Sequence, residues 1–327
     1  MALIAIAHLP FACLLYIRLW SLEHYQFFPF AFGAFAWLFL TRRVKGSFRW
    51  DEFSTTMLVV DVVFLAAGIY LTSPWLVCVG AFFLCLAICR SFTDSESDRS
   101  LAYLALLPLL TIRPPLQWDL DVIHWLQTKT TQVASQLLNH FGFLHLREGN
   151  ILEFSGKRFL VEEACSGVQS LFTLLFLASL IVCGYRRTWL HSGLVLLSAG
   201  GLAGLLNVIR VASISMAWFS YEVDLSTGWQ HDTIGYVALV VAALLVFSTD
   251  ALMNFLLSPV PDFPRAGVAS RFYNPFTAIW NWLFLVMPRI SFVTKETTAD
   301  GLFSHRVQVA VAGCVCIGAL VAQWQVF

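Results

Sequence analysis

Cys165, Arg210 and His231 are, by residue type, a set able to move an acyl group. A thiolate attacks a peptide carbonyl, an imidazole near its own pKa takes and returns protons, and a fixed guanidinium stabilises the oxyanion of the tetrahedral intermediate. Of the eight cysteines, Cys165 alone lies among polar and small residues. Cys13, Cys78, Cys85, Cys89, Cys183, Cys314 and Cys316 sit within or at the ends of apolar runs, where a thiol behaves as a small hydrophobe. Cys165 precedes Ser166-Gly167-Val168-Gln169, and a Ser followed three residues later by Gln ahead of an apolar run predicts a capping box with Ser166 as N-cap. The helix end would favour the thiolate, while Glu162 and Glu163, read as a solvated outer edge, work against it.

Asn207 and Arg210 are three apart and share a helix face, with Asn207 read as a structural hydrogen-bonder. Asp232 adjoins His231, but neighbouring helical residues point apart. Each member of the trio also has an ordinary reading: a small buried thiol, a snorkelling arginine, an interfacial histidine. The remaining histidines (His8, His24, His124, His140, His145, His191 and His305) show no metal-ligand spacing, so neither metal nor cofactor is expected.

The elements that must position these residues are membrane spans. Hydrophobic residues make up 58% of the 327-residue chain and charged residues 12%, with a mean hydropathy of +0.74, which places the chain in the integral membrane class. Stretches such as 56–72, 166–183, 189–207, 232–249 and 306–326 are long enough to cross about 30 Å of hydrocarbon, and Leu3 to Leu19 reads as a retained span rather than a signal peptide. A net charge near zero argues against a nucleic-acid partner. The expected fold is an all-α polytopic membrane protein of about nine transmembrane helices.

Basic residues orient the spans. With the N-terminus inside, the cytoplasmic loops receive Arg42, Arg43, Lys45, Arg49, Arg90, Arg99, Arg186, Arg187, Arg265, Arg271, Arg289, Lys295 and Arg306, which is 13 of the 20 basic residues. The short outer loops 21–26, 72–75 and 211–230 receive none. Cys165, Arg210 and His231 then all fall at the outer ends of their helices. Asp61, within the third span, is expected to face the bundle rather than lipid.

Segment 113–164 is the one sizeable outer region. Arg113-Pro114-Pro115 stops the preceding helix, residues 120–143 carry apolar residues at three- and four-residue spacing, and 150–164 alternates around Ser155-Gly156-Lys157. These predict an amphipathic interfacial helix and a β-hairpin leading to Cys165. The chain divides into N-terminal spans (1–100), a core carrying the trio (101–255) and a cytoplasmic connector with a final span (256–327).

"VEEACSGVQSLF", "NVIRVASI" and "HDTIGY", in this order and each at a membrane boundary, resemble the signature blocks of the exosortase/archaeosortase family. The resemblance covers roughly residues 100–250. It implies Cys165 as nucleophile, with Arg210 and His231 as its partners; Ser166, Gly167, Gln169, Asn207 and Asp232 are expected to support them. It further implies an inner-membrane enzyme with its site at the periplasmic face. The substrates it implies are exported proteins bearing a C-terminal sorting signal: a short motif such as Pro-Glu-Pro, a transmembrane helix and a basic tail. Gln169 departs from the arginine of many relatives, which bears on substrate subtype. The rival expectation is a non-catalytic membrane component, or a transporter, of extracellular polysaccharide export. Against a transporter stand the lack of a two-half repeat and the gathering of the reactive groups at one surface.

Overall fold

The computed structural model describes residues 2–96, 99–154, 157–160 and 168–257. The described residues form nine α-helices: α1 (Ala2–Trp20), α2 (Phe28–Arg42), α3 (Glu52–Tyr70), α4 (Pro74–Ser91), α5 (Leu106–Leu109), α6 (Trp118–His140), α7 (Val168–Gly184), α8 (Trp189–Tyr221) and α9 (Gly228–Leu256). Between α6 and α7 lies a three-stranded antiparallel sheet of β1 (Leu146–Glu148), β2 (Ile151–Phe154) and β3 (Lys157–Leu160). The chain separates into two compact units that meet in sequence at Leu120 and Asp121.

Five helices, α1, α3, α4, α8 and α9, are long and apolar enough to cross a membrane. Sequence reading drew about nine spans. Helix α7 has 17 described residues, at the lower end of the roughly 17–25 that cross a membrane, and α2 has 15. The apolar stretch before Arg113 is no span: it breaks into a 3-10 turn at Leu101–Ala105 and the four-residue α5, where Pro108 removes a backbone donor. The stretch 306–326 lies outside the described residues.

In the N-terminal unit, Asp51 caps α3 by accepting from the Ser54 N–H at 2.8 Å, and Pro74 opens α4 at a position where a missing N–H costs nothing. Ile4, Ala7 and Phe11 of α1 bury against Leu65 of α3 and Val77 and Leu84 of α4. Asp61 faces inward as expected and is fully buried; its Oδ1 lies 2.8 Å from His8 Nε2, while His8 Nδ1–H donates to the Ile4 carbonyl at 2.7 Å. Gly80 of α4 makes this approach feasible, since a Cβ there would stand 3.0 Å from Asp61 Oδ1 and 3.2 Å from its backbone oxygen.

In the second unit, α6 is amphipathic as its spacing predicted, burying Ala134 and Leu138 and exposing Val122, Trp125 and Val133. The predicted hairpin is β2–β3, in the register Leu152↔Phe159 and Phe154↔Lys157. A third strand, β1, joins it with Leu146 opposite Glu153. Leu152 and Phe154 alternate with the half-exposed Ile151 and Glu153, so one sheet face packs on α6 and on Val211 and Ile214 of α8.

That packing overturns the expected outer loop over 211–230. Helix α8 continues eleven residues past Arg210, because Val211 and Ile214 have a sheet to cover. The loop shrinks to 222–227, entered through Glu222 in the left-handed conformation (φ 55°), whose N–H caps α8 on the Trp218 carbonyl. Helix α9 starts at Gly228, one turn before His231, and runs on to Leu256, where the connector is expected to begin.

Candidate functional site

Two helices carry the described part of the site. Arg210 lies two-thirds of the way along α8, and His231 lies in the first turn of α9. The Arg210 Nη2–H donates to His231 Nε2 at 2.7 Å and also lies 3.3 Å from the His231 carbonyl. A guanidinium has only donors, so Nε2 offers its lone pair and Nδ1 carries the ring proton. His231 is buried, at 8% exposure.

Asn207, one turn before Arg210, is buried and donates through Nδ2 to Thr130 Oγ1 of α6 at 3.3 Å. Asn207 and Arg210 line one small cavity with Ser170 and Leu174 of α7, Ala203 and Leu206 of α8 and Gly235 of α9. Its volume of about 10 Å³ is room for about one water. Arg210 Nε is buried and has no partner among the described residues. The first turn of α7, which Ser170 occupies, therefore borders the same cavity as the guanidinium, and Cys165 stands five positions upstream of Ser170 in the sequence.

Cys165, Ser166 and Gly167 lie outside the described residues, as do Glu162 and Glu163. Gln169 is exposed on the first turn of α7, where its backbone carbonyl accepts from Thr173 Oγ1 at 2.8 Å. Asp232 is exposed. Arg210, His231 and Asn207 are thus gathered, and Gln169 and Asp232 are not.

Gly235 went unnoticed in sequence. A Cβ at Gly235 would stand 3.0 Å from Arg210 Nη2, 3.1 Å from Cζ and 3.4 Å from Nη1, so the guanidinium lies directly against the α9 backbone one turn after His231. The available signal was the spacing His231-x-x-x-Gly235, which puts a side-chain-free patch on the histidine's own face. Thr130 and Ser170 were also missed; nothing in their local sequence separates them from other hydroxyls on helices.

Lys157 at the start of β3 pairs with Asp224 in the loop before α9, and its Nζ sits 4.6 Å from the Trp218 ring and 4.9 Å from the Phe159 ring. The Asp224 carboxyl is held well below the usual carboxylate range, at about 2, by Lys157 and by the Ser226 hydroxyl and backbone N–H. The pair ties the hairpin that leads toward Cys165 to the loop that leads to His231.

Five helices of this length and apolar composition make the chain a multi-pass membrane protein. Residues 19–248 match the family described as transmembrane exosortase, and the chain belongs to that family. No curated protein and no solved structure gives a significant match.

Proposed function

We propose that this chain is a membrane-embedded cysteine transpeptidase or protease that cleaves C-terminal sorting signals from exported proteins. The observation that carries the reading is the 2.7 Å contact of Arg210 with His231, in which a cation meets a base instead of a carboxylate. Such a pair spends a donor and a lone pair only on each other beside a small cavity, and acyl transfer draws on both.

Cys165 Sγ gives its proton to His231 Nε2 and attacks the scissile carbonyl carbon. The C=O π pair moves onto oxygen, where the Arg210 guanidinium, drawn off the imidazole as the carbonyl arrived, donates to the oxyanion. Collapse breaks the C–N bond, with His231 returning the proton to the departing amine, and leaves a thioester on Cys165. Water or an acceptor amine then attacks the thioester, loses a proton to His231, and expels the thiolate. In the resting site the Arg210 N–H occupies the Nε2 lone pair, so arrival of the substrate carbonyl is what frees the base.

The substrates are exported proteins ending in a short motif such as Pro-Glu-Pro, a transmembrane helix and a basic tail. The site lies at the periplasmic face of an inner membrane. The test is co-expression of one such protein with the native chain or with Cys165→Ser, followed by mass measurement of its new C-terminus. A shortened product from the native chain alone is expected; equal shortening by both would overturn the reading.

A further inference from the structure

Helices α8 and α9 are joined by polar contacts at both ends. At one end Arg210 meets His231; at the other, the His191 Nε2–H donates to Asp250 Oδ1 at 2.8 Å. The two contacts run in opposite senses along the chain, so the helices are antiparallel. They also obey one register: His191 stands 19 residues before Arg210, and Asp250 stands 19 residues after His231. Nineteen residues rise about 28 Å on either helix, so fixing one contact brings the other into step. Val195 with Val246 and Ala199 with Ala242, all buried, fall in the same register between them.

The stripe between the two ends does not choose that register by itself. Small and β-branched residues repeat every four positions along α8, at Val195, Ala199 and Ala203, so a slide by one turn offers a similar apolar surface. Lipid supplies no hydrophobic force that would prefer one such position over another. A buried polar network does prefer one, because a slide would leave its charges unpaired.

Asp250 is that network's centre. Beyond His191 it accepts from Arg187 Nε at 2.9 Å on Oδ1 and from Arg187 Nη2 at 2.6 Å on Oδ2, and Arg187 Nη1 donates to Asn254 Oδ1 at 2.6 Å. Arg187 is itself set by the end of α7, where its N–H returns to the Val182 carbonyl after Arg186 takes a left-handed turn (φ 54°). Sequence reading gave Arg187 only a charge on a loop, whereas it closes a planar fork on a buried carboxylate.

We propose that Arg187, His191 and Asp250 form a register clamp, and that they are positioning residues for the Arg210–His231 contact about 28 Å away. None of them touches substrate. The inference rests on reading Arg210 and His231 as the reactive pair, and its test is chosen to stand apart from that reading.

In the full chain in membranes, with Cys165 replaced by Ser, cysteines are placed as Arg210→Cys with His231→Cys, or as Arg210→Cys with Gly235→Cys. The relative rates of disulfide formation report the register without any activity. With the clamp intact each pair has its own rate. Asp250→Ala is expected to change the ratio of the two rates at least tenfold, and His191→Leu or Asp250→Asn to change it less. Should Asp250→Ala fail to accumulate, the two milder variants carry the same readout. With Cys165 restored and no cysteines added, the clamp variants are expected to lower the rate of signal cleavage at least tenfold at saturating substrate.

An unchanged cross-linking ratio in the clamp variants overturns the proposal, whatever happens to cleavage. A changed ratio together with full cleavage by Cys165→Ser would leave the clamp standing and remove the enzyme reading instead.

Discussion

The His8–Asp61 pair in the first unit and the Arg210–His231 pair in the second are both imidazole contacts between helices, at 2.8 and 2.7 Å, yet they are opposite in charge logic. His8 meets a carboxyl. One proton goes to the Ile4 carbonyl and another is shared between Nε2 and Oδ1, so the pair carries no net charge, and Asp61 Oδ2 has no hydrogen-bond partner among the described residues. His231 meets a guanidinium, and among the described residues no carboxylate pairs with Arg210. Among the described residues, then, Arg210 meets a base and no anion, and a guanidinium so placed can receive an anion that forms during function. The first arrangement holds helices together; the second holds chemistry in reserve.

Substitutions at the two pairs should therefore fail in different ways. Arg210→Ala is expected to lower signal cleavage by about 10²–10³-fold, the typical loss of one oxyanion donor, with little change in the melting temperature of the detergent-solubilised protein. Arg210→Lys should recover only a fraction, since an ammonium lacks the planar fork. Asp61→Ala should do the reverse, destabilising by about 3–5 kcal/mol through an unpaired buried imidazole while the folded fraction cleaves at the native rate. A melting-temperature and cleavage measurement on both variants decides it. An Asp61→Ala protein that is stable but inactive would erase the distinction.

The two glycines sharpen the same contrast at smaller amplitude. At Gly80 a Cβ would press on Asp61 Oδ1 and on backbone oxygen, which cannot move aside, so Gly80→Ala should separate α3 from α4 and lower the melting temperature. At Gly235 the neighbour is the end of a flexible arginine. Gly235→Ala should leave the fold intact, since alanine is favoured over glycine in a helix by about 1 kcal/mol, and displace the guanidinium by a few tenths of an ångström. About a tenfold loss of cleavage, with unchanged melting, is the expected outcome.

What sequence disclosed of this arrangement followed physical range. Helices α3, α8 and α9, the amphipathic α6 and the β2–β3 hairpin were legible because their signals are local: apolar length, spacing of three and four, alternation around a turn. The extension of α8 from Arg210 to Tyr221 was not, because Val211 and Ile214 pack against a sheet that lies far back in the sequence, at residues 146–160. Arg210 and His231 were legible as residue types on consecutive apolar helices, and the structure brings them into contact. Gly235 and the Arg187–His191–Asp250 cluster were hidden, since each acquires meaning only when two helices are laid side by side.

The Lys157–Asp224 pair lies between the two extremes, being a full ion pair but one with 40% of the aspartate side chain exposed. Its carboxyl pKa is held at about 2 in the folded chain, below the ordinary value near 3.9, so the pair's contribution is fully present above about pH 4 and is lost as pH falls toward 2. Exposure and screening keep that contribution to at most about 1 kcal/mol. Asp224→Asn should accordingly be slightly less stable than the native chain at neutral pH, and the difference should close toward pH 2 in paired unfolding measurements. High salt should shrink it as well. A difference that persists unchanged to pH 2 would mean that Asp224 acts through its turn hydrogen bonds to Ser226, at 3.0 and 2.6 Å, and not through Lys157. In that case the hairpin and the loop before His231 would be held together mainly by Phe159 and Trp218, whose rings lie 6.1 Å apart, and Trp218→Ala would become the larger lesion of the two.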